Sequence, residues 1–213
     1  MTDRALYDPD CVRCQRLAGF LRETRARYPD YWARPVPSFG AAQPRIVIVG
    51  LAPGMHGANR TGRPFVGDHA GVLLYRTLHA AGLASRPVAA AREDGLRLRR
   101  TRIINSVKCV PPQNKPTSEE IRTCNTYLRA ELDRLKRVRV VLALGRVAHE
   151  AFLRASGLKP SAFPFGHGRE HALEDGRTLI DSYHCSRYNT STRRLTEPMF
   201  RQVVTRACEL ADA

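Results

Sequence analysis

Four short apolar runs recur along the chain, separated by longer stretches in which apolar residues return at helical spacing. The runs cover 45–52, 101–108, 139–145 and 177–183. Aliphatic and β-branched side chains without polar alternation are typical of strands buried on both faces of a parallel sheet. Because strands and helices alternate, helices are expected on both faces of the sheet. We therefore predict a single domain over 1–213, an α/β protein with a three-layer α/β/α fold and a central four-stranded parallel sheet.

Capping signals and periodicity place the helices between these strands. The predicted helices cover 10–27, 70–82, 117–136, 145–155 and a final segment that begins near 196. Thr117 and Glu120 form a capping-box pattern, and Asp68 stands where the N-cap of another helix would be. We predict irregular chain over 28–44 and 157–176, where prolines, glycines and aromatic residues interrupt any period.

A glycine-rich loop, GLAPGMHGANRTGRPFVGDHAG at 50–71, connects the first predicted strand to the helix that follows it. Its six glycines and two prolines argue against a regular helix or strand over its length. In α/β proteins, ligands usually bind where such a loop leaves the carboxyl end of a strand. We therefore predict that this loop carries the binding site; the alternative is a long connector without a function.

The chain is strongly basic, with 35 lysines and arginines against 20 acidic residues and a net charge of +15. This charge favours a polyanionic partner, nucleic acid first, and the alternative is a protein that is merely basic. No apolar run approaches transmembrane length, and the first residues do not resemble a signal peptide. We therefore expect a cytoplasmic, monomeric protein that binds nucleic acid and has no membrane partner.

Four of the six cysteines have positions that suggest a shared site. Cys11 and Cys14 form a C-x2-C pair, which the predicted helix 10–27 would place on its inward face; Cys109 follows a strand, and Cys124 faces inward from a later helix. In an intracellular chain such a set favours metal binding over disulfides. Four thiolates suit tetrahedral zinc or an iron–sulfur cluster, and the wide spacing of the last two favours the cluster. Four ordinary buried cysteines are the remaining alternative.

The segments GLAPG, HGANRTGRPFVGD, NSVKC and HCSRYNT follow one another along the chain. Together with the cysteines they resemble the uracil-DNA glycosylase superfamily, and within it the iron–sulfur family 5, or type B. The resemblance implies an enzyme that removes uracil, and often other deaminated bases such as hypoxanthine or xanthine, from DNA. Such an enzyme hydrolyses the N-glycosidic bond and leaves an abasic site. The resemblance also implies that a [4Fe-4S] cluster is bound by Cys11, Cys14, Cys109 and Cys124 and ties in the N-terminal helix.

Physical chemistry and the resemblance together assign candidate roles. We expect Phe65 to stack on the extruded base, and Asn105 to offer a donor and an acceptor to the uracil edge. Asp68 is the acid to which the resemblance points, for stabilising the sugar cation and orienting water. His184 would donate a hydrogen bond to the base as a neutral imidazole. The other predicted base- and DNA-binding residues are Gly50, Leu51, Ala52, Gly54, Ser186, Arg187 and Asn189.

Each of these roles has a structural alternative. Asp68 could serve only as a helix cap and Phe65 only as a core aromatic residue. Asn105 and His184 could be satisfied polar groups of the interior. Leu51 stands where the sister iron–sulfur family, narrower for uracil, carries an acid, and this difference separates the chain from that family. Since no lysine stands among the candidates, we predict a monofunctional glycosylase without a lyase step.

Two further points qualify the resemblance. Cys185 stands where the family pattern has proline, and the lost restriction on φ would loosen that loop. A non-enzymatic nucleic-acid-binding protein with a four-cysteine site would also explain the charge and the cysteines. It would leave Asp68, Asn105 and His184 without a role. A dinucleotide-binding protein is disfavoured because the loop does not read G-x-G-x-x-G.

Overall fold

The computed structural model describes residues 6–213. Its strands are β1 (Phe39–Gly40), β2 (Ile46–Gly50), β3 (Thr101–Asn105), β4 (Val140–Leu144), β5 (Glu170–Ala172) and β6 (Thr178–Ser182). They form one sheet in the order β1-β3-β2-β4-β6-β5. The four central strands are parallel and correspond to the four apolar runs. The predicted α/β fold class is therefore confirmed.

Over the described residues the sheet has six strands rather than the predicted four. β1 pairs antiparallel with β3 at one edge, and β5 pairs antiparallel with β6 at the other. The two added strands are only two and three residues long and lie in segments that we predicted as irregular. A strand this short shows no alternation of apolar residues, so its sequence carries no periodic signal.

Helices cover both faces of the sheet. In the part of the chain that the structure describes they are α1 (Gln15–Arg27), α2 (Ala58–Thr61), α3 (His69–Ala80), α4 (Ser118–Arg134), α5 (Arg146–Ala155), α6 (Arg187–Ser191) and α7 (Glu197–Asp212). Ile46 and Ile48 of β2 pack with α3 and α7 on one face, whereas Val47 and Val49 pack with α4 and α5 on the other. This alternation along one strand produces the three layers. None of the helices in residues 6–213 is long and apolar enough to span a membrane.

Capping side chains begin the longer helices where the sequence predicts. Thr117 accepts the N–H of Glu120 in a complete capping box at the start of α4. Thr196 accepts the N–H of Met199 at the start of α7. The short helices α2 and α6 were not predicted, because four- and five-residue helices have no room for a helical period.

The first helix begins at Gln15, later than the predicted 10. Cys14 has an extended backbone, with φ −106° and ψ 99°, and Cys11 lies further upstream. The prediction that both cysteines lie on a helical face is therefore wrong. They still pack against the cluster of apolar residues that Leu17 and Leu21 of α1 form with the loop after β3 and with α4.

Candidate functional site

A cleft lies at the carboxyl edge of the central strands, where ligands of parallel α/β sheets usually bind. Gly50 ends β2 opposite Asn105, the last residue of β3, and His184 follows β6. The cleft has a volume of about 310 Å³. The predicted site residues that line it are Leu51, Ala52, Gly54, Phe65, Asp68, Asn105, His184, Ser186 and Arg187. The structure thus brings together candidates from three distant segments of the chain.

Asp68 holds the N-cap position of α3, but its side chain does not cap that helix. The carboxylate turns instead to α2, where Oδ2 accepts the N–H of Ala58 at 3.0 Å. Burial raises the pKa of Asp68 above its usual value, while the amides of Ala58 and Gly54 and the charge of Arg60 oppose the rise. The acid is therefore oriented by the glycine-rich loop itself and stands at the wall of the cleft.

Two glycines make room for this carboxylate. A side chain at Gly54 or at Gly57 would overlap Asp68 Oδ1. The two residues also form a tight turn, in which the Gly57 N–H donates to the Gly54 carbonyl at 3.3 Å. Part of the glycine content of the loop therefore reflects the close approach of an acid to the backbone.

Phe65 forms an aromatic wall of the cleft and has an unusual backbone. Its φ is 62°, in the left-handed region that bulky residues rarely adopt. The side chain is buried, and its ring stacks on His184 with centroids 6.0 Å apart and planes at 28°. A side chain at Gly50 would touch the ring, and one at Gly71 would overlap the Phe65 carbonyl. Strain of this kind persists where the surroundings fix it, commonly at functional sites.

A buried ion pair links the glycine-rich loop to a later segment of the chain. Arg63 Nη1 lies 2.7 Å from Asp94 Oδ1, in the segment 84–100 for which the sequence gives no structural signal. Burial alone would raise the pKa of Asp94, but hydrogen bonds from the Leu96 amide and from Arg63 lower it to about 2. The pair therefore stays ionised at neutral pH and ties the loop to that segment.

Asn105 ends β3 with its side chain almost fully buried. Its Oδ1 has no hydrogen-bond partner among the described residues. Next to it, Ser106 donates from both its N–H and its hydroxyl to the Gly50 carbonyl, at 2.9 and 2.8 Å, and so joins the ends of β2 and β3. A buried acceptor without a partner is unfavourable unless a ligand supplies the donor.

His184 is neutral in this environment, because burial lowers its pKa to about 4. Within residues 6–213 no hydrogen bond to its ring is found, and the ring stacks on Phe65. Its backbone, in contrast, is firmly held. Asn189 Nδ2 donates to the His184 carbonyl at 2.8 Å, and His167 Nδ1 accepts the N–H of Tyr183 at 3.1 Å. Asn189 therefore supports the backbone of His184 and is not among the residues that line the cleft.

The short helix α6 stands at the mouth of the cleft. Ser186 is its N-cap and accepts the N–H of Asn189 at 3.4 Å, and Arg187 is exposed beside it. His69 Nε2 and Thr190 Oγ1 lie 3.3 Å apart, which links α3 to α6 across the mouth. Cys185, in the position of the family's proline, is fully buried, and burial raises the pKa of its thiol to about 12. It is therefore a core residue and not a reactive thiol.

The four candidate ligand cysteines face one enclosed cavity on the α1 side of the fold. Cys109 and Cys124 are buried, and Cys11 and Cys14 are half-buried. All four are free thiols, and all four belong to one apolar cluster. Burial, followed by the neighbouring thiols, raises the pKa of Cys109, and the same causes raise that of Cys14 to about 11. Four free thiols that line one cavity form a donor set suited to a metal centre.

A second group of possible ligands lies in the core at His149, His171 and Asp181. Both ring nitrogens of His149 already have partners, Asp181 Oδ1 at 2.7 Å and the Phe163 carbonyl at 2.8 Å. Asp181 Oδ2 accepts the N–H of Gly166 at 3.2 Å. These bonds anchor the loop before β5 and occupy both ring nitrogens of His149. His171 Nε2 has no hydrogen-bond partner among the described residues and lies 3.5 Å from Asp181 Oδ2.

Four residues that line the cleft were not singled out from the sequence: Pro53, His69, Ala70 and Asn114. The first three belong to the glycine-rich loop, which was predicted to carry the site, whereas Asn114 lies outside it. Asn114 lines the cleft although it lies in the loop that follows Cys109. It and Gln113 both have left-handed backbones, with φ of 57° and 55°. Asparagine between prolines is compatible with such a turn, but the direction of the turn towards the cleft depends on tertiary contacts.

Comparison with known proteins agrees with this geometry. Residues 37–207 match the profile of the uracil DNA glycosylase superfamily. The chain is 50% identical to a type-5 uracil-DNA glycosylase of Thermus thermophilus over 94% of both chains. It is 43% identical to the type-5 enzyme of Mycobacterium bovis over 94% of this chain and 78% of that one.

The sister group is more distant. A type-4 uracil-DNA glycosylase of Archaeoglobus fulgidus is 33% identical over 77% of this chain and 69% of its own. The resemblance expected from the sequence motifs is therefore confirmed. The chain belongs to the uracil DNA glycosylase superfamily, in its type-5 branch.

Proposed function

We propose that this protein is a DNA-repair glycosylase that flips uracil out of DNA, hydrolyses its N-glycosidic bond and leaves an abasic site. The observation that supports this most is the convergence of Asp68, Asn105, His184 and Phe65 on one cleft. An aromatic surface, an amide, a neutral imidazole and an acid are the groups that base capture and glycosidic cleavage require. The type-5 relatives are named uracil-DNA glycosylases, which supports the same reaction.

Base recognition would use Phe65 and Asn105. The aromatic ring offers a stacking surface inside the cleft, and the Asn105 side chain offers both a donor and an acceptor. Uracil presents an N–H between two carbonyls, and that N–H is the donor that the unpartnered Asn105 Oδ1 lacks. Hypoxanthine and xanthine carry the same N–H beside a carbonyl, so we include other deaminated bases among the substrates.

Cleavage leaves negative charge on the departing base and positive charge on the sugar. His184 would donate a hydrogen bond to the base oxygen. With its pKa lowered to about 4 by burial, the ring is neutral at neutral pH and donates through its one remaining N–H. Asp68 would stabilise the sugar cation and orient the attacking water. Among the described residues that line the cleft there is no lysine, so no Schiff base forms and the enzyme is monofunctional.

DNA binding would use the mouth of the cleft together with the overall charge of +15. Exposed Arg187 and the Ser186 hydroxyl lie where the phosphates next to the flipped nucleotide would pass. Base flipping needs one nucleotide and its flanking phosphates, which a single chain can hold, and we propose a monomer.

We propose that Cys11, Cys14, Cys109 and Cys124 bind a [4Fe-4S] cluster. The enclosed cavity that they share and the four free thiols support this donor set. The cluster would join three segments that are far apart in sequence, the one before α1, the loop after β3 and α4. When bound, the cluster supplies a cross-link among these segments, and the proposed residues of the cleft carry out the cleavage.

A nicking assay tests the function. The protein is incubated with a labelled duplex that contains one uracil, and then with alkali, which cleaves the strand at an abasic site. We expect a nick at the uracil, and none in a matched duplex with thymine. A panel with hypoxanthine and xanthine in the same position tests the wider substrate range. Binding of these duplexes without any nick would contradict the enzyme and favour the non-enzymatic DNA-binding protein.

A further inference from the structure

Tyr127 lines the cysteine cavity with a hydroxyl group that has no partner among residues 6–213. It is 3% exposed, lies on α4 one turn after Cys124, and belongs to the same apolar cluster as the four cysteines. Its Oη is itself buried. Because a buried hydroxyl without a partner is unfavourable, its position indicates a bound group that accepts a hydrogen bond from it.

The surroundings of this hydroxyl point to sulfur as the acceptor. The phenol of Tyr127 is a hydrogen-bond donor, and the Cys11 thiol, whose sulfur would belong to the bound cluster, lies within reach of its hydroxyl. The Arg13 guanidinium lies over the aromatic ring, 4.9 Å from its centroid, and donates to Thr126 Oγ1 at 3.2 Å. Arg13 thus packs on one face of the ring, and the ring lines the cavity that the four cysteines share.

The backbone already makes one bond of the same kind. The N–H of Lys108 donates to Cys124 Sγ at 3.2 Å. A donor directed at a cluster sulfur stabilises the more negative, reduced state, and so raises the reduction potential. Tyr7 also lines the cavity, but its hydroxyl donates to the Pro35 carbonyl at 2.7 Å and is not available to a cluster.

We propose that the Tyr127 hydroxyl donates a hydrogen bond to a sulfur of the bound iron–sulfur cluster, and that this bond raises the reduction potential of the cluster and slows its loss. This inference rests on the cluster that is part of the proposed function. It concerns a residue that orients and stabilises the cluster and does not touch the base.

The test compares Tyr127→Phe with Tyr7→Phe, both in the full-length protein. Iron content, the visible absorbance of the cluster, its midpoint potential at an electrode and the rate of bleaching by an iron chelator are measured. We expect Tyr127→Phe to keep its iron but to show a lower midpoint potential and about fivefold faster bleaching, the factor for one hydrogen bond. Tyr7→Phe should match the wild type in potential and bleaching.

The possible outcomes separate the two proposals. Wild-type potential and bleaching in an iron-loaded Tyr127→Phe would overturn the role of Tyr127 and leave the proposed function intact. Absence of iron from the wild type would overturn the cluster itself. If Tyr127→Phe does not retain iron, 3-fluorotyrosine placed at position 127 keeps the shape and is a stronger donor. The midpoint potential should then rise, and an unchanged or lower value would overturn the inference.

Discussion

At the scale of single residues, Asp68 has the most demanding position. Its carboxylate leaves the helix that it begins and is held by the amide of Ala58 at 3.0 Å. An asparagine side chain in its place would still present an oxygen to that amide, so Asp68→Asn should fold as the wild type does. Without the negative charge, we expect single-turnover excision to fall by a factor on the order of 10²–10⁴. Full activity in the variant would assign the acid's role to another group.

The same residue predicts a pH dependence of stability. Since burial raises the pKa of Asp68, the folded state binds its proton more tightly than the unfolded state does. The ionised carboxylate therefore lowers stability above its folded pKa, and this loss disappears as the pH falls towards the unfolded value of about 4. We expect Asp68→Asn to be more stable than the wild type at pH 7, with the gap closing in acid. Urea unfolding of both proteins measures it, and a less stable variant at pH 7 would show that the amide bonds outweigh burial.

The lowered pKa of His184, about 4 because of burial, predicts how the excision rate depends on pH. The imidazole is neutral throughout the neutral range, so the excision rate should show no inflection near the ordinary histidine value of about 6.5. Replacement of His184 by alanine should lower the rate by a factor on the order of 10²–10³, as expected for one lost hydrogen-bond donor to a developing anion. Rates measured from pH 5.5 to 8 decide this. An inflection near about 6.5 in the wild type that is missing in His184→Ala would contradict a neutral imidazole.

At the scale of elements, the glycine-rich loop is fitted around its acid. A methyl group at Gly57 would overlap Asp68 Oδ1, so Gly57→Ala should displace the carboxylate and lower excision to near the level of Asp68→Asn. Gly19 on α1 is the matched control, since a side chain there meets only the end of Arg22, 3.8 Å away. Gly19→Ala should keep full activity and gain about 0.5–1 kcal/mol of helix stability. Equal activity of the two variants would show that the loop yields to the added methyl group.

The elements also show what a sequence can predict. The strand β2, for example, was predictable because Ile46, Val47, Ile48 and Val49 leave no polar face. The edge strands were not, because pairing partners far along the chain create them. In the site, Asn105 could be placed by its position at the end of a strand and His184 by its position just after one. The hydrogen-bond partner of Asp68 and the presence of Asn114 in the cleft depend on left-handed turns and close contacts that no local sequence pattern reveals.

At the scale of the whole molecule, the net charge of +15 predicts that the affinity for DNA depends on ionic strength. Affinity should fall linearly with the logarithm of salt concentration, because each phosphate contact releases a counterion. Arg187→Ala, at the mouth of the cleft, should reduce that slope by about 1. Arg139→Ala is the matched control, since Arg139 precedes β4 at the opposite edge of the sheet, and it should leave the slope unchanged. Titrations of a fluorescent duplex across a salt series measure both, and equal slopes for all three proteins would remove Arg187 from the interface.

The left-handed backbone at Phe65 limits the routes by which this fold can acquire new substrates. That conformation disfavours β-branched replacements at the position itself. Gly50 stands against the Phe65 ring and Gly71 against its carbonyl, so larger residues cannot reshape this wall from either side. Divergence in base preference must then arise at other residues of the cleft, such as Leu51 and Asn114. The aromatic wall that Phe65 forms would then stay the same among related proteins, while the residues around it change.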